Sequence, residues 1–241
     1  MDAHDAVVTP ARPGAGRLRG DEDLRCDPGR LWDGLIPGPV SPARRTLDVV
    51  AAVAGIVGLA PLLLVIALLV RLTSKGPVLF RQVRLTTGRC EFTIYKFRTM
   101  TVTRGGPEFT VPGDSRVTRL GAVLRRTSLD ELPQLFNLLR GDMTLVGPRP
   151  ETPALAAQYP PELQFVLHAT PGLTGPAQLR LRDHVCFPPD VRDPERWYVE
   201  RIVPARVALD ESFLRAASLP ATVRVVVQTL VYVITGRPPT A

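Results

Sequence analysis

The stretch Thr127-Ser128-Leu129-Asp130-Glu131-Leu132-Pro133-Gln134 decides how the rest of this chain is read. Leu132, Leu135, Phe136 and Leu139 fall at helical spacing, which predicts a helix with one face on a core. Gly141 is its natural stop. Ser128 and Glu131 fit a capping box. Pro133 conflicts with that register, because proline is tolerated only where its missing N–H is already free; a start at Asp130 places Pro133 in the first turn and relieves the conflict. In either register Asp130 and Glu131 stand at the positive end of the helix dipole, where anions are favoured.

Two readings of this pair stand side by side. In the structural one, Asp130 caps the helix and Glu131 complements its dipole. In the chemical one, a carboxylate among Arg125, Arg126 and Arg149 stays ionised and acts as a nucleophile, while two adjacent carboxylates hold a divalent cation that neutralises a diphosphate. Gly147-Pro148-Arg149-Pro150-Glu151, just downstream, favours the second: prolines on both sides of Arg149 fix the backbone and project its guanidinium with little entropy to lose. The whole stretch then reads as the centre of a site for a phosphate ester.

The composition agrees. A net charge of +7 over 241 residues implies an acidic partner: nucleic acid, anionic lipid or a phosphorylated substrate. Aromatic residues are only 6% of the chain, which argues against a platform for stacked bases. Cys26, Cys90 and Cys186 are an odd number without paired spacing, arguing against a disulfide framework and a zinc site and for a reducing compartment. His4, His168 and His184 form no metal-ligand pattern.

Upstream, Val49 to Val70 is an uncharged run as long as a bilayer is thick. Pro61 sits at its middle behind Gly55 and Gly58, and both flanks are basic, with Arg44 and Arg45 before it and Arg71 and Lys75 after it. A single-pass helix and a helix that bends near Pro61 and returns to the same face both fit by composition; the symmetric flanks favour the second. Residues 1–40 carry no apolar period and predict a flexible tail, with no signal peptide.

After Gly76-Pro77, a strand from Val78 to Phe80 and a second from Glu91 to Phe97, joined through Thr86-Thr87-Gly88-Arg89, predict a β-hairpin. Lys96, Arg98 and Thr99 stand at its end. Residues 104–114 predict a loop, and Ser115 to Arg126 an amphipathic helix whose basic side lies on lipid, lines a phosphate pocket or is simply solvated. Ala221 to Thr235 is apolar but interrupted by Arg224 and Gln228, which fits either an interfacial or a buried terminal helix.

Assembled, these residues resemble the bacterial sugar transferases, specifically the small monotopic phosphoglycosyl transferases. The resemblance runs from about Arg44 to Gly236. It is carried by Gly76-Pro77-Val78-Leu79-Phe80-Arg81-Gln82, by Tyr95-Lys96-Phe97-Arg98-Thr99-Met100, by Leu124 to Gln134, and by Gly141-Asp142-Met143 through Pro150. Several motifs in order are far more specific than one short motif.

The resemblance implies that Asp130 is the nucleophile and attacks the sugar-bearing phosphorus of a UDP-sugar, releasing UMP. A phosphosugar–aspartate intermediate then passes to polyprenyl (undecaprenyl) phosphate, in the first membrane step of exopolysaccharide or glycoconjugate assembly. Glu131 would assist in metal binding or proton handling, with Mg2+ held by Asp130 and Glu131. Arg125, Arg149, Lys96, Arg98, Pro148 and Pro150 would contact phosphate or nucleotide. The implied architecture is α/β, mainly helical with a small sheet: a tail over 1–40, a re-entrant membrane helix over 41–75 broken at Pro61, a catalytic domain over 76–205, and interfacial amphipathic helices over 206–241. It would lie on the cytoplasmic face of the bacterial inner membrane with lipid bilayer as partner and no nucleic acid; its amphipathic surface permits a homodimer.

The larger family members carry extra N-terminal helices and another domain, for which 241 residues leave no room. Ala60-Pro61 stands where the family often has Ser-Pro, Pro176 where many members have Trp, and Arg182 to Asp193 departs from the family pattern. The competing class is a non-catalytic membrane-bound protein whose basic face binds lipid or other anions. A nucleic-acid binder would rest on net charge alone.

Overall fold

The computed structural model describes residues 39–101, 114–181 and 191–236. The tail expected over 1–40 falls, up to residue 38, outside these, as do the loop expected over 104–114, up to residue 113, and the divergent stretch over 182–193, up to residue 190. Among the described residues the fold is mostly helical with two small sheets.

The apolar run forms two helices, α1 (Pro42–Gly58) and α2 (Ala60–Thr73), bent by 63°. The break falls at Leu59, two residues before Pro61. Pro61 occupies the first turn of α2, and its ring nitrogen cannot donate to the carbonyl of Val57, so the α1 ladder stops there. No single helix among the described residues is long and apolar enough to cross a membrane; the pair reaches that length only with its bend.

One stripe of α1 faces inward. Arg44, Asp48 and Ala52, four residues apart, are all buried. Asp48 accepts from the Leu145 N–H at 2.8 Å and Arg44 donates to the Val146 carbonyl at 2.7 Å. Arg45 donates to the Leu138 and Leu139 carbonyls at 2.6 and 2.7 Å, closing the end of a later helix. The basic flank that resembles a topology signal in the sequence therefore ties α1 to the rest of the fold. The opposite faces of α1 and α2 are apolar and exposed, including Val57, Leu64, Leu68 and Leu72.

The hairpin is present, with β1 (Leu79–Leu85) longer than the expected strand and β2 over Glu91–Phe97 as expected. The strands are antiparallel, with Leu79 opposite Phe97 and Leu85 opposite Glu91. The turn is a short 3-10 segment, Thr87–Arg89. Cys90 is disulfide-bonded, contrary to the reading of the cysteine spacing, which cannot report which distant cysteines a fold brings together.

Helix α3 (Arg119–Thr127) ends at Ser128, which turns the chain in a left-handed conformation (φ 58°). The expected capping box fails for that reason. An N-cap needs extended dihedrals, and the buried Ser128 Oγ has no hydrogen-bond partner. A 3-10 helix, Leu129–Gln134, follows and passes into α4 (Leu135–Arg140). The change from three to 3.6 residues per turn rotates the buried face. Leu135 and Leu138 are buried, while Phe136 and Leu139, expected in the core, are exposed.

Strand β3 (Thr144–Val146) pairs in parallel with β4 (Gly172–Thr174), Thr144 opposite Gly172 and Val146 opposite Thr174. Between them lie α5 (Pro153–Ala156) and the 3-10 segment Pro161–His168. Helices α6 (Pro176–Leu181), α7 (Pro194–Arg201), α8 (Val203–Arg215) and α9 (Leu219–Thr235) complete the fold. Helix α8 runs across the expected boundary at 205/206 and buries Val207, Phe213 and Leu214 in the main core. Helix α9 has two faces. Thr222, Val225 and Tyr232 are buried, whereas Val227, Leu230, Val231 and Ile234 are exposed.

Two apolar clusters position the Asp130 stretch. The larger joins α1, α4, β3 and α8. The smaller packs Ile66 and Val70 of α2 on Phe97 of β2 and Leu124 of α3, with Leu129 and Leu132 against it. The 3-10 helix carrying Asp130 thus rests on the second half of the bent helix pair.

Candidate active site

Asp130 and Glu131 lie in the first turn of the 3-10 helix, against β2. The contact is locked by Asn137, fully buried in the following helix α4. Its side chain accepts from the Tyr95 N–H at 3.2 Å and donates to the Thr93 carbonyl at 2.8 Å and to Asp142 at 3.0 Å. One amide therefore satisfies the open edge of the hairpin and fixes how far the 3-10 helix stands from it.

That distance brings Lys96 to Glu131: its Nζ donates to Oε1 at 2.7 Å. Arg149 approaches the same oxygen at 3.8 Å. Arg125, in the last turn of α3, has its Nε on the buried Thr99 hydroxyl at 2.8 Å and adds positive charge near Asp130. Asp130, Glu131, Lys96, Arg125 and Arg149 are therefore brought into one neighbourhood.

Arg98 is not. Its guanidinium is buried and donates to the Ser74 carbonyl and hydroxyl, each at 2.8 Å, and to the Pro77 carbonyl. It satisfies the carbonyls at the end of α2 and has no contact with the carboxylate pair. Lys96 and Arg98, two residues apart on an extended chain, would share a face. The chain leaves the strand at Phe97, and this frees Arg98 to turn toward α2.

Pro148 and Pro150 are buried on either side of the exposed Arg149. Their segment is held by backbone contact: the Gly147 N–H bonds the Thr174 carbonyl at 3.0 Å and the Gly172 N–H bonds the Pro148 carbonyl at 2.7 Å. A Cβ on Gly172 would stand 2.1 Å from the Gly147 nitrogen, so both turns need glycine for this approach. Pro150 lines a cleft with Lys96, Glu131 and Arg149, while Pro148 lines a second cavity that Arg149 and Pro150 also border.

That second cavity contains groups the sequence reading missed. The Glu151 carboxylate is buried and accepts from Arg206 at 2.8 Å and from the Tyr159 hydroxyl at 3.1 Å. Arg84 donates to the Pro150 carbonyl at 3.1 Å and stands 3.9 Å from Glu151. Asp210 lies beside them, and burial pushes its carboxyl up to about 7, against the pull of Arg206. Arg206 comes 55 residues after Glu151, and no local pattern links them.

The electrostatics distinguish the two central carboxylates. Burial, with Glu131 second, pushes Asp130 up to about 6; Lys96 and Arg125 oppose the shift. The Lys96 ammonium is pushed down by its own burial, with Glu131 as the main opposing influence. Asp130 is thus a desolvated carboxylate that is still mostly ionised at neutral pH, which suits nucleophilic attack.

For a metal, no group of three or more His, Cys, Asp or Glu comes together among the described residues. A hard cation held by one or two carboxylates and completed by substrate phosphates needs only the adjacent pair, and it would offset the like-charge contribution of Glu131, which is second to burial in raising Asp130.

The bacterial sugar transferase family model matches residues 40–236, which include the bent helix pair, the hairpin, the carboxylate stretch and α9. A UDP-glucose:undecaprenyl-phosphate glucose-1-phosphate transferase of Caulobacter vibrioides is 51% identical over 142 residues, covering 57% of this chain and 53% of the relative. A UDP-N-acetylgalactosamine-undecaprenyl-phosphate N-acetylgalactosaminephosphotransferase of Aeromonas hydrophila is 44% identical over 151 residues, covering 60% of this chain but 36% of the relative. This chain thus spans between a third and a little over half of those two relatives. An exopolysaccharide production protein of Rhizobium leguminosarum bv. phaseoli is 37% identical over 198 residues, covering 78% of this chain and 93% of the relative. With the family model spanning all the described elements and this similarity extending across nearly the whole of a relative, the chain belongs to the bacterial sugar transferase family.

Proposed function

We propose that this protein is an enzyme that transfers a sugar 1-phosphate from a UDP-sugar to polyprenyl phosphate, of the undecaprenyl class named for its relatives, and releases UMP. The observation that carries the reading is Asp130: buried, raised to about 6 against the pull of Lys96 and Arg125, and adjacent to Glu131, which Lys96 and Arg149 approach. Phosphoryl transfer depends on an aligned nucleophile and on charge around the phosphate oxygens, and this arrangement supplies both.

In the proposed sequence an Asp130 carboxylate oxygen attacks the phosphorus that bears the sugar. The bond from that phosphorus to the bridging oxygen breaks, and UMP leaves with the electron pair. The polyprenyl phosphate oxygen then attacks the same phosphorus, and the Asp130 carboxylate leaves. Lys96 orients Glu131 through their 2.7 Å bond, and Arg149 and Arg125 flank the pair. Mg2+, held by Asp130 and Glu131, would neutralise the diphosphate.

The bent helix pair and the exposed face of α9 support a monotopic arrangement, in which α1 and α2 enter one leaflet of the inner membrane and return. Labels at the two ends are expected on the cytoplasmic side together with the catalytic domain. A periplasmic label at the N-terminal end would overturn the re-entrant reading.

The direct test is UMP release from a panel of UDP-sugars in nanodiscs with undecaprenyl phosphate and magnesium. Release with one donor establishes the reaction and names the sugar, whereas binding without turnover across a broad panel favours the non-catalytic class. The pH profile adds a specific expectation. Because protonation removes the nucleophile, kcat/KM for the donor should fall about tenfold per pH unit below roughly pH 6. A flat profile down to pH 4.5 would argue against Asp130 as the attacking group.

A further inference from the structure

The cleft beside the carboxylate pair is lined by Arg84, Lys96, Glu131, Gln134, Arg149 and Gln178, among others. The two glutamines have no part in the mechanism above. Gln134 is 3% exposed, and its buried Nε2 has no hydrogen-bond partner. The Nε2 of Gln178, on α6, is also buried without a partner. The two residues come from different elements and line the same cleft.

A buried amide without a partner costs stability, and a fold that can satisfy one normally does. Asn137, three residues after Gln134, uses both ends of its side chain in three hydrogen bonds. The same stretch therefore satisfies its structural amide and leaves the cleft-lining one unmet. The remaining lining supplies three cationic side chains against the carboxylate of Glu131. A group rich in acceptors, without donors of its own and negatively charged, matches such a surface.

We propose that Gln134 and Gln178 form a hydrogen-bonding subsite for a phosphate oxyanion beside Asp130 and Glu131. The inference rests on the functional reading above for its ligand class and adds two residues to it. The oxyanion belongs either to the sugar nucleotide or to the polyprenyl phosphate, which share this chemistry.

The test uses the full chain in nanodiscs, with Gln134→Met and Gln178→Met, which keep side-chain length and remove the amide. Binding of UMP and of inorganic phosphate is titrated directly, without turnover. In parallel, kcat/KM is measured separately for the UDP-sugar and for undecaprenyl phosphate, and the thermal midpoint is recorded. Loss of one hydrogen bond to a charged group predicts about tenfold weaker binding for each variant. Weaker UMP binding with loss confined to the donor assigns the subsite to the nucleotide side. Loss confined to the acceptor assigns it to the lipid phosphate, and loss for both with an unchanged midpoint makes it shared. Unchanged binding and unchanged kcat/KM for both substrates would overturn the proposal. Losses that only follow a lowered midpoint in both variants would also overturn it, since they mark a packing role. A wild-type protein that binds UMP through these amides but transfers nothing would leave the subsite standing and remove the enzymatic reading instead.

Discussion

Asp130→Asn is expected to lose UMP release by at least about a thousandfold, the scale seen when a catalytic nucleophile is removed. It is also expected to be more stable than the wild type at neutral pH, and the two effects have one cause. Burial raises the Asp130 carboxyl from 3.8 to about 6. The folded state therefore holds the proton more tightly than the unfolded chain, so stability falls as pH rises between those values and stays reduced above them. The shift corresponds to at most about 3 kcal/mol at pH 7. Asparagine has a similar shape and no charge, so it removes most of that cost. A higher thermal midpoint at pH 7.5, with the difference shrinking toward pH 4, is the expected signature. Full activity in the variant would remove Asp130 as nucleophile. An unchanged or lower midpoint at neutral pH would show that the site does not store the cost of a buried charge.

Arg206→Ala is expected to be the most damaging single change to the fold outside the apolar core. Arg206 and Glu151 pair at 2.8 Å, with side chains 9% and 5% exposed. Removing one partner leaves a buried charge without compensation, which costs about 3–5 kcal/mol. Glu151 directly follows Pro150, so the loss also loosens the segment that presents Arg149, and donor binding should weaken with it. Replacing both partners together, Arg206→Met with Glu151→Leu, should cost less than the sum of the single changes, because neither member of the pair is then left charged without the other. Thermal unfolding of the four proteins measures this coupling. Additive losses would show that the pair does not act as a unit.

These two sites differ in how much of them a reader of the chain could see. Asp130, Glu131, Arg125 and Arg149 lie in segments whose local chemistry is unusual: adjacent carboxylates at a helix start, and an arginine between prolines. Lys96 stands at the end of a strand, within a motif that carries the family resemblance, and its Nζ bonds Glu131 at 2.7 Å. Arg98 shows the limit of that logic. It shares the motif with Lys96, but the chain turns between them, and its guanidinium closes the end of α2 instead. Gln134 lies in the central stretch and Glu151 in the proline segment, but only the cleft and the Arg206 contact give them a role.

By itself the sequence determined what depends on neighbours along the chain. Hydrophobic period and turn residues place the hairpin, the bend near Pro61 and the amphipathic helices, because backbone dihedrals and side-chain direction are set within a few residues. It determined the family too, since ordered motifs are a property of the chain. The tertiary structure alone decided the left-handed turn at Ser128, the rotation that exposes Phe136, the binding of α1 to β3 through Arg44 and Asp48, and the buried Glu151–Arg206 pair. Each depends on groups far apart in the chain meeting where water is excluded. There an unmet charge or N–H is costly, and the partner that relieves it is selected by the path of the whole backbone.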